Sequence, residues 1–526
     1  MMTFTSSKVG WGVVNMCNTW YMRRMIAEIH SMVPYGFEGK LVEVEGDMNR
    51  GLPAFNIVGM ANKTVNEAKE RVRSAIVNSG FYFPSKRVTI NLAPAELQKD
   101  GAYLDLPIAL SIMLLSGQLI KNDTVGRAFV GELSLNGEIK PVKGIINIVE
   151  AAKNAKYREI YVPLRNVAQA SLVPGITIHG AESLQSLYLA LKGQVELPTV
   201  IDTNTTLKCA SRGYNEPIMD HIRGQTLAKR AMEIAIAGHH NILISGPPGA
   251  GKTLLAKAAA NLLPELTPQE QIDITKIYSI AGLTNDEIIA VRPFRSPHHT
   301  ASATSVIGGA SGPGEISLAH KGILFMDELP EFPRSVLEAL RQPLEDGRIA
   351  ISRAGRKVVY PADFMLVATM NPCPCGYLGD QAHECRCTET QIQNYRKKLS
   401  GPLFDRIDMN IVVEKVSNNE LRAPVGKEDH EHSVVKNTIT GAMVRQKKRY
   451  KREGVYNSSL SSFQVSQMLK MEPAAEQLLA KASEQLNLSA RSYFKTIKVA
   501  QTIADLEDAD LILVKHLAEA LTYRRR

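Results

Sequence analysis

The sequence predicts a multidomain α/β protein, and three observations lead to this class. At 526 residues the chain is too long for one hydrophobic core, because single domains usually hold about 100–200 residues. From Met25 to about Gly193, short β-type runs alternate with runs of helical periodicity. Farther on, a glycine-rich segment lies between an apolar run and another helical run. Strands that alternate with helices are typical of α/β and α+β domains.

The N-terminal part of the chain supplies the first set of expected elements. β-branched and apolar residues predict strands at Lys40–Glu45, Arg87–Leu92 and Glu159–Val162. Apolar residues at helical spacing predict helices at Val65–Asn78, Leu106–Ser116 and Ile145–Ala155. We therefore expect one α/β or α+β domain over residues 25–193. We expect residues 1–24 to form an extension outside the fold, with Met25 as an alternative start.

Composition divides the rest of the chain. Residues 194–212 hold a proline and a Thr/Asn-rich centre, which is typical of a linker. Residues 213–415 contain the glycine-rich segment and are expected to form a second domain. Residues 416–526 are expected to be mostly helical, because they carry long helical periodicity at Ser462–Leu486 and Ala490–Leu506.

The glycine-rich segment is a candidate phosphate-binding loop. Residues 246–253 read Gly-Pro-Pro-Gly-Ala-Gly-Lys-Thr and fit the pattern G-x-x-x-x-G-K-[ST]. A strand-like run, Asn241–Ser245, leads into the loop, and a helical run, Thr253–Asn261, leaves it. Glycines let the backbone curl until N–H groups face phosphates, with the lysine on the terminal phosphates and the threonine on Mg²⁺. The candidate binding residues are Gly246, Pro247, Pro248, Gly249, Ala250, Gly251, Lys252 and Thr253.

Two carboxylates and an amide complete the expected hydrolytic site. The apolar run Gly322–Glu328 ends in Asp327, expected to hold the water shell of Mg²⁺, and Glu328, expected to polarise the attacking water. Asn371 follows the apolar run Phe364–Ala368, so its side chain is expected at a strand tip, where it would sense the γ-phosphate. A glycine-rich turn before a core helix is the simpler explanation of the loop alone. It does not account for the carboxylates that follow in order.

Two arginines lie at positions that suit phosphate contact. Arg406 stands in Gly401–Asp408, in an expected turn at the end of a helix, and Arg491 opens the expected helix Ser489–Leu506. Taken alone, each reads as an ordinary surface arginine. Their order after the loop, the carboxylates and Asn371 favours a shared role.

In that order, these five elements resemble the phosphate-contacting elements of AAA+ ATPases. Four further segments resemble the magnesium-chelatase-like branch, specifically the bacterial ComM (YifB-type) family, over nearly all of Met25 to Tyr523: Arg292–Thr300, Gly308–Gly309, Pro313–His320 and Asp405–Asp408. The resemblance implies ATP and Mg²⁺ as cofactors, a helical lid and a ring of six subunits. It also implies that Arg406 is a trans-acting finger and Arg491 a lid sensor acting in cis. Gln501 stands where the family pattern leads us to expect arginine, which puts one lid contact in doubt.

Two segments have a physical logic for gripping a polymer. Residues 291–319 interrupt the core between the loop helix and the carboxylate strand, and their glycines suit a mobile insertion directed at a pore. Arg348–Tyr360 predicts a β-hairpin turning at Ala354–Gly355. Its tip carries the candidate DNA-binding residues Arg353, Arg356 and Lys357, which would track a phosphate backbone without reading bases. A surface hairpin with exposed charges is the alternative.

The overall charge is compatible with nucleic acid but does not establish it. The chain carries a net charge of +9 and concentrates six cations in the eight residues Arg445–Arg452. Such a run suits either a solvated helix face or phosphate contact. No apolar stretch reaches the ~18 residues of a membrane helix, and residues 1–24 lack a secretory pattern. We therefore expect a cytoplasmic protein without membrane contact.

Four of the six cysteines form a cluster in residues 372–388. Cys373 and Cys375 are followed after nine residues by Cys385 and Cys387. Paired thiolates at either end of a short loop suit tetrahedral Zn²⁺, with His383 able to replace one ligand, although C-x-C is less diagnostic than C-x-x-C. Reduced thiols in a packed loop are the alternative. Loss of a metal here would disorder the chain that leaves Asn371.

The N-terminal domain resembles the Lon-protease fold, which is related to a ribosomal-protein fold. Lon-like proteases need a serine activated by a lysine of lowered pKa. In the matching segments Lys99–Asp105 and Gly137–Ile146, the serine position carries Tyr103 and the lysine position carries Ile146. Proteolysis is therefore not expected, and the fold is expected to serve ring formation or DNA guidance.

Three functions follow from these interpretations. The first is a hexameric ATP-dependent DNA motor that drives branch migration as incoming single-stranded DNA is integrated during natural transformation. Its expected partners are single-stranded and branched DNA, other copies of the chain and recombinase-coated DNA. The second is a chelatase-type motor that remodels a protein partner for Mg²⁺ insertion into a porphyrin, against which the fused Lon-like domain argues. The third, an ATP-dependent peptidase, lacks a nucleophile.

Overall fold

The computed structural model describes residues 26–59, 62–97, 99, 102–201, 219–284, 288–309, 312–353, 356–380, 383–416 and 431–524. The chain divides into two compact units. The first unit comprises residues 1–31, 42–140 and 181–197, and the second comprises residues 32–41, 141–180 and 198–526. In the described residues, no helix is both long enough and apolar enough to cross a membrane.

The strands are β1 Ala27–Tyr35, β2 Glu38–Asn49, β3 Ala54–Val58, β4 Arg87–Ala93, β5 Arg127–Phe129, β6 Glu132–Leu133, β7 Ile139–Lys140, β8 Glu159–Pro163, β9 Thr177–Ala181, β10 Thr199–Val200, β11 Ile242–Ser245, β12 Phe294–Arg295, β13 Gly308–Gly309, β14 Gly312–Pro313, β15 Ile323–Met326, β16 Arg348–Arg353, β17 Arg356–Pro361, β18 Met365–Met370 and β19 Met409–Val412.

The α-helices are α1 Asn62–Asn78, α2 Asp105–Leu115, α3 Ile145–Asn154, α4 Val167–Ala170, α5 Leu184–Leu191, α6 Thr226–Gly238, α7 Lys252–Leu262, α8 Pro268–Ala281, α9 Ala303–Ile307, α10 Glu315–Leu318, α11 Arg334–Ala339, α12 Pro343–Asp346, α13 Glu389–Lys397, α14 Gly401–Phe404, α15 Glu431–Tyr450, α16 Ser462–Met468, α17 Pro473–Gln485, α18 Ala490–Leu506 and α19 Val514–Thr522. The six elements expected in the N-terminal part lie in β2, β4, β8, α1, α2 and α3 and differ only at their ends.

The strands that lie wholly or partly in the first unit's main sheet follow the order β5-β1-β2-β4-β3. β4 pairs antiparallel with β2 and parallel with β3. Every residue of α2 is buried, as expected of a helix that is apolar all round. Its first residue, Asp105, accepts hydrogen bonds from Arg71 Nε at 2.7 Å and Nη2 at 3.2 Å. This pairing supplies the partner that a buried carboxylate needs.

In the second unit, a five-stranded sheet has the order β12-β15-β18-β11-β19. All four neighbouring pairs are parallel, so the carboxyl ends of the strands meet at one edge. β11 lies between β18 and β19, with Ile242 opposite Val367 and Met409. All six residues of β18 are buried, the continuous apolar pattern expected of a strand covered on both faces.

The second unit also includes residues 141–180. Within it, the α3 region contacts α8: Gly144 N donates to Ser279 Oγ at 3.0 Å, and Lys276 Nζ donates to Glu150 Oε2 at 2.7 Å. β10 pairs antiparallel with β9 through Thr199 and His179. Residues 202–218 of the expected linker and of the chain after it lie outside the described residues. The domain boundaries given by the sequence stay predictions.

The interpretation of residues 291–319 as an interruption of the core is wrong for its first residues. Phe294 and Arg295 pair in parallel with Ile323 and Leu324, so β12 is an edge strand of the core sheet. The Phe294 ring stacks on Phe325 with centroids 5.8 Å apart. Apolar burial therefore makes this segment part of the core. The rest of the segment forms α9, β13, β14 and α10, and its role at a pore stays a prediction.

The C-terminal helices differ from the sequence pattern in one place. The periodic run Ser462–Leu486 forms two helices, because α17 begins at Pro473, which cannot continue a preceding helix.

Gln501, the departure from the family pattern, is buried and donates to Asp505 Oδ1 at 3.0 Å. Asp505 also pairs with Arg449 of α15. Gln501 therefore takes part in a buried polar network of the lid.

Candidate active site

The phosphate-binding loop follows the carboxyl end of β11, an inner strand of the parallel sheet. Gly249 and Gly251 have φ values of 79° and 80°, a left-handed conformation that glycine adopts without strain. Gly246 N donates to Met370 O of β18 at 3.2 Å. α7 begins at Lys252, so the backbone N–H groups of its first turn face the loop. This confirms the strand-loop-helix context expected from the sequence and provides an anion site at a helix N-terminus.

The Lys252 side chain links the phosphate-binding loop to Asn371. Its Nζ donates to Gly246 O at 2.5 Å, Pro247 O at 3.2 Å and Asn371 Oδ1 at 2.9 Å. Burial lowers the pKa of Lys252 from its usual value, whereas the negative charges of Asp327 and Glu328 oppose this shift. All three hydrogen-bond acceptors are neutral, so a phosphate could replace them without separating an ion pair.

Asp327 follows β15 and lies between two threonine hydroxyls. Its Oδ1 accepts from Thr369 Oγ1 at 2.5 Å, and its Oδ2 accepts from Thr253 Oγ1 at 3.4 Å. Thr253 and Asp327 are thus brought together as expected for a pair that holds Mg²⁺. Thr369 was missed as a site residue, because a threonine at the end of an apolar run reads as an ordinary strand residue.

Glu328 occupies a left-handed backbone conformation with φ 53°, which is uncommon for a residue other than glycine and is often associated with functional sites. Its backbone N–H donates to Thr369 Oγ1 at 3.0 Å. Its carboxylate accepts from Asn371 Nδ2 at 3.3 Å, and the other oxygen lies 4.0 Å from His299 Nδ1. Asn371 therefore links Lys252 to Glu328. The sequence singled out the segment of His299 but not this contact.

The two candidate arginines meet at a different place. Arg406 Nη2 binds Glu345 Oε2, and Arg491 Nη2 donates to Glu345 Oε1 at 2.6 Å. Arg406 also donates from Nη1 to Pro402 O at 2.8 Å. Hydrogen bonding to Arg406, followed by the charges of Arg406 and Arg491, lowers the pKa of Glu345. All three side chains line a cavity of about 910 Å³. Glu345 was not anticipated from the sequence.

The basic hairpin is confirmed in its backbone. β16 and β17 pair antiparallel from Arg348 opposite Pro361 to Arg353 opposite Arg356. Lys357 is exposed, whereas Ile349 and Tyr360 at the base are buried. The turn residues 354–355 and the side chains of Arg353 and Arg356 lie outside the described part of the chain. The hairpin is therefore anchored in the core and carries charge toward its tip.

The cysteines of the loop after Asn371 come together. Cys373 Sγ lies 3.3 Å from Cys375 Sγ and 3.6 Å from Cys385 Sγ. With Cys387, the four Sγ atoms lie within 4.8 Å of one another. Backbone N–H groups of Tyr377 and Arg386 lower the pKa of Cys375 to about 6. His383, the alternative ligand, stacks on Tyr377 at 4.8 Å between ring centroids and is outside this cluster.

The basic run Arg445–Arg452 is partly engaged in ion pairs. Arg445 pairs with Asp508, Lys447 with Glu453 at 2.6 Å, and Arg449 with the buried Asp505. These contacts favour the solvated and structural interpretation for three of the six cations.

The two positions compared with a protease dyad carry no nucleophile or base. Tyr103 precedes α2, and burial raises its pKa. Ile146 is fully buried in α3.

Three family models match the chain. The model described as magnesium chelatase, subunit ChlI, matches residues 218–421, the one described as subunit ChlI of Mg-chelatase matches residues 44–166, and that for the ChlI C-terminal part matches residues 430–524. The first covers the loop, both carboxylates, Asn371 and Arg406. The third covers Arg491.

Full-length relatives give a narrower assignment. The competence protein ComM of Haemophilus influenzae is 42% identical over 509 residues, which are 95% of this chain and 97% of the relative. YifB of Escherichia coli is 41% identical over 503 residues, 94% of this chain and 96% of the relative. The magnesium-chelatase 67 kDa subunit of Chlorobaculum tepidum is 31% identical over 153 residues, 29% of this chain and 23% of that protein. These matches and the phosphate-binding geometry indicate an ATPase. The chain belongs to the magnesium-chelatase-like ComM/YifB family.

Proposed function

We propose that this chain is an ATP-driven DNA motor. As a homo-hexamer in the cytoplasm, it would move branch points in DNA and so promote the integration of incoming single-stranded DNA during natural transformation. The observation that carries the proposal is the chain of hydrogen bonds from Lys252 through Asn371 to Glu328 at the edge of a parallel sheet. This arrangement suits the binding of a nucleoside triphosphate and the activation of water beside it.

Hydrolysis would use the residues of this edge in distinct roles. Lys252 binds the terminal phosphates of ATP, and Thr253 and Asp327 hold Mg²⁺, which neutralises charge on the phosphates. Glu328 polarises the attacking water, and Asn371 positions the γ-phosphate against it. The 3.3 Å contact between Asn371 Nδ2 and Glu328 Oε1 supports this division, because one amide reaches both the lysine and the candidate base.

Completion of the site would require a neighbouring subunit. Arg406 and Arg491 are bound to Glu345, and within the described residues no hydrogen bond joins either arginine to the loop 246–253. Arg406 is proposed to reach the γ-phosphate held by the next subunit of a ring. Arg491 binds the same carboxylate as Arg406, so a phosphate that replaces Glu345 would be within reach of both arginines. Arg491 would then contact the nucleotide of the next subunit, which is an alternative to its expected role within its own subunit.

The DNA part of the proposal rests on two observations. One relative is named a competence protein, and β16 and β17 carry Arg353, Arg356 and Lys357 at the end away from their buried base. Cations at the tip of an anchored hairpin suit a phosphate backbone. We propose that the N-terminal region has a Lon-protease-like fold without a catalytic dyad and that it supports the ring or guides DNA.

The decisive experiment follows a labelled three- or four-stranded DNA junction in the presence of purified protein and Mg-ATP. Movement of the branch point by the wild type and its loss in Glu328→Gln would support the motor. Absence of movement and of DNA-stimulated hydrolysis, in preparations that form rings, would overturn it.

The hairpin can be tested with a charge-matched control. A variant with Arg353, Arg356 and Lys357 all changed to alanine should bind DNA more weakly and with a smaller salt dependence, by up to about one unit of slope for each lost phosphate contact. A control with Lys121, Lys470 and Lys481, all exposed, changed to alanine removes the same charge elsewhere. Equal losses in both variants would contradict a specific role of the hairpin.

A second candidate is a chelatase-type motor that remodels a protein partner. The three matching family models, described by magnesium chelatase subunits, favour it. Stimulation of ATP hydrolysis by a protein partner and not by DNA would select this function.

A further inference from the structure

The cysteine cluster has the geometry of a closed metal site. For Zn²⁺ with Zn–S bonds of about 2.3 Å, the sulfur atoms of a regular tetrahedron lie about 3.8 Å apart. Three Sγ pairs lie at 3.3, 3.6 and 3.6 Å, and all four atoms fall within 4.8 Å of one another. The four sulfur atoms are thus close enough to one another to bind a single small ion. Four cysteine ligands leave no open position, which is typical of structural zinc.

A bound metal ion accounts for this arrangement better than disulfide bonds or the packing of reduced thiols. A disulfide bond needs sulfur atoms about 2.05 Å apart, and the shortest pair here is 3.3 Å apart. Among the four, only Cys373 is fully buried, and the other three are half-buried. A small apolar cluster would not gather three partly solvated thiols around one centre. Two backbone N–H groups, from Tyr377 and Arg386, also hydrogen-bond to Cys375, as expected around a metal-bound thiolate.

The loop that carries the cluster contacts the phosphate-binding loop. Cys373 is two residues beyond Asn371. Gly376, with φ 83°, approaches the phosphate-binding loop so closely that an added Cβ would lie 2.9 Å from Pro248 Cδ. Lys415 contacts the same loop at two further residues. Its Nζ lies 2.5 Å from Asp380 Oδ2 and 5.6 Å from the Tyr377 ring centroid. The loop therefore begins next to Asn371 and contacts the phosphate-binding loop at Pro248.

We propose that Cys373, Cys375, Cys385 and Cys387 bind one structural Zn²⁺, which holds this loop against Pro248 and thereby positions Asn371. In this arrangement the metal has no chemical part in hydrolysis. Zinc constrains the chain that leaves β18, so that the Asn371 amide stays between Lys252 and Glu328. The proposal does not depend on DNA as the substrate, and its metal test stands whether or not the motor function holds.

The first test measures the metal directly. Full-length protein purified without added metal should contain one Zn²⁺ per chain by elemental analysis. The double variant Cys373→Ser/Cys385→Ser should lose it, whereas Cys209→Ser, outside the cluster sequence, should keep it. Absence of zinc in the wild type after anaerobic reconstitution with zinc chloride, or iron in its place, would overturn the assignment.

A second measurement avoids dependence on a variant that fails to fold. In native wild-type protein, four of the six cysteines should resist alkylation until a mercurial reagent releases zinc, and zinc release should track the appearance of those four thiols. Rapid alkylation of all four without zinc release would overturn the site.

The link to Asn371 is tested by a double-perturbation cycle. Zinc release should lower the rate of ATP hydrolysis about 10- to 100-fold, the range for loss of groups that orient a site, while the far-UV circular dichroism stays unchanged. In an Asn371→Ala background, zinc release should cause little further loss. Independent, multiplicative losses would show that zinc acts elsewhere and would overturn the positioning role.

Discussion

Two pockets hold their cationic side chains with different partners. The phosphate-binding pocket surrounds Lys252, and the arginine pocket contains Arg406 and Arg491. In the first, Lys252 is bound by two backbone carbonyls and the Asn371 amide, all of them neutral. In the second, Arg406 and Arg491 share the carboxylate of Glu345. A phosphate entering the first pocket replaces neutral partners. A phosphate approaching the arginines must compete with a fixed negative charge.

Under the proposed function, this difference would separate nucleotide binding from hydrolysis. One chain contains every residue expected to bind ATP and Mg²⁺, and hydrogen bonds already join Lys252 to Asn371 and Thr253 to Asp327. In the proposed mechanism, the two arginines would stabilise the transition state only after a stronger anion displaces Glu345. A γ-phosphate carries more charge than one carboxylate and accepts bidentate hydrogen bonds. Assembly that brings such a phosphate to the arginines would therefore switch on turnover in a subunit that binds ATP regardless.

Loss of Arg406, the proposed arginine finger, should produce the largest effect. Arg406→Ala is expected to lower the hydrolysis rate of assembled protein about 10³- to 10⁵-fold, the range for arginine fingers, with nucleotide affinity nearly unchanged. Steady-state hydrolysis and binding of a fluorescent ATP analogue measure the two quantities. Arg341→Ala, which removes a surface arginine paired with Glu338, is the control. Retained hydrolysis in an Arg406→Ala ring would contradict the separation of the pockets.

Removal of Glu328, the candidate base of the phosphate-binding pocket, should also lower the hydrolysis rate. Glu328→Gln is expected to slow hydrolysis about 10²- to 10⁴-fold and to leave ATP bound, because the Lys252 contacts do not involve Glu328. Single-turnover hydrolysis with pre-bound ATP measures this. The matched control is Glu331→Gln, which alters an exposed carboxylate 3.0 Å from Lys398 Nζ. Weakened binding in Glu328→Gln would show that binding and chemistry are not separate in this pocket.

Lys252→Ala tests the binding half of the comparison. Loss of charge-assisted hydrogen bonds worth about 1.5–3 kcal/mol should weaken ATP affinity about 10- to 100-fold. Lys257→Ala, on the same helix, should bind ATP like the wild type. Equilibrium titration with a fluorescent ATP analogue distinguishes them, and unchanged affinity of Lys252→Ala would remove this lysine from the phosphate site.

The sequence predicted the first pocket far better than the second. The loop, Asp327, Glu328 and Asn371 were predictable because each follows a short apolar strand, and parallel strands end at one edge. Thr369 was not, since a β-branched residue in an apolar run gives no sign that its hydroxyl binds Asp327. Glu345 was not, because its pairing with Arg406 and Arg491 spans 61 and 146 residues. Only the fold brings them together.

Charge patterns and very short strands were the weaker guides. The run Arg445–Arg452 suited a solvated helix face and phosphate contact equally, and the structure shows that Arg449 pairs with Asp505, a buried residue of α18. β12 has only two residues, too few for a period to be recognised, and was taken for an insertion. In both cases the partner lies far along the sequence, so a local sequence pattern cannot reveal the contact.

Glu345→Gln should have the smallest effect and tests the comparison most sharply. An exposed ion pair is worth about 0.2–1 kcal/mol, so its loss should free the arginines and raise hydrolysis at limiting protein concentration up to about fivefold. Glu338→Gln, paired with Arg341, is the matched control.

The direction of the pKa shift extends this test. Because Arg406 and Arg491 lower the pKa of Glu345, the wild-type carboxylate stays ionised across about pH 6 to 8. The ratio of mutant to wild-type hydrolysis should therefore be constant over that range. A decrease in hydrolysis in Glu345→Gln would mean that the carboxylate positions the arginines for catalysis and does not restrain them. The contrast between a preformed binding pocket and a restrained arginine pair would then fail, and Glu345 would belong to the active arrangement.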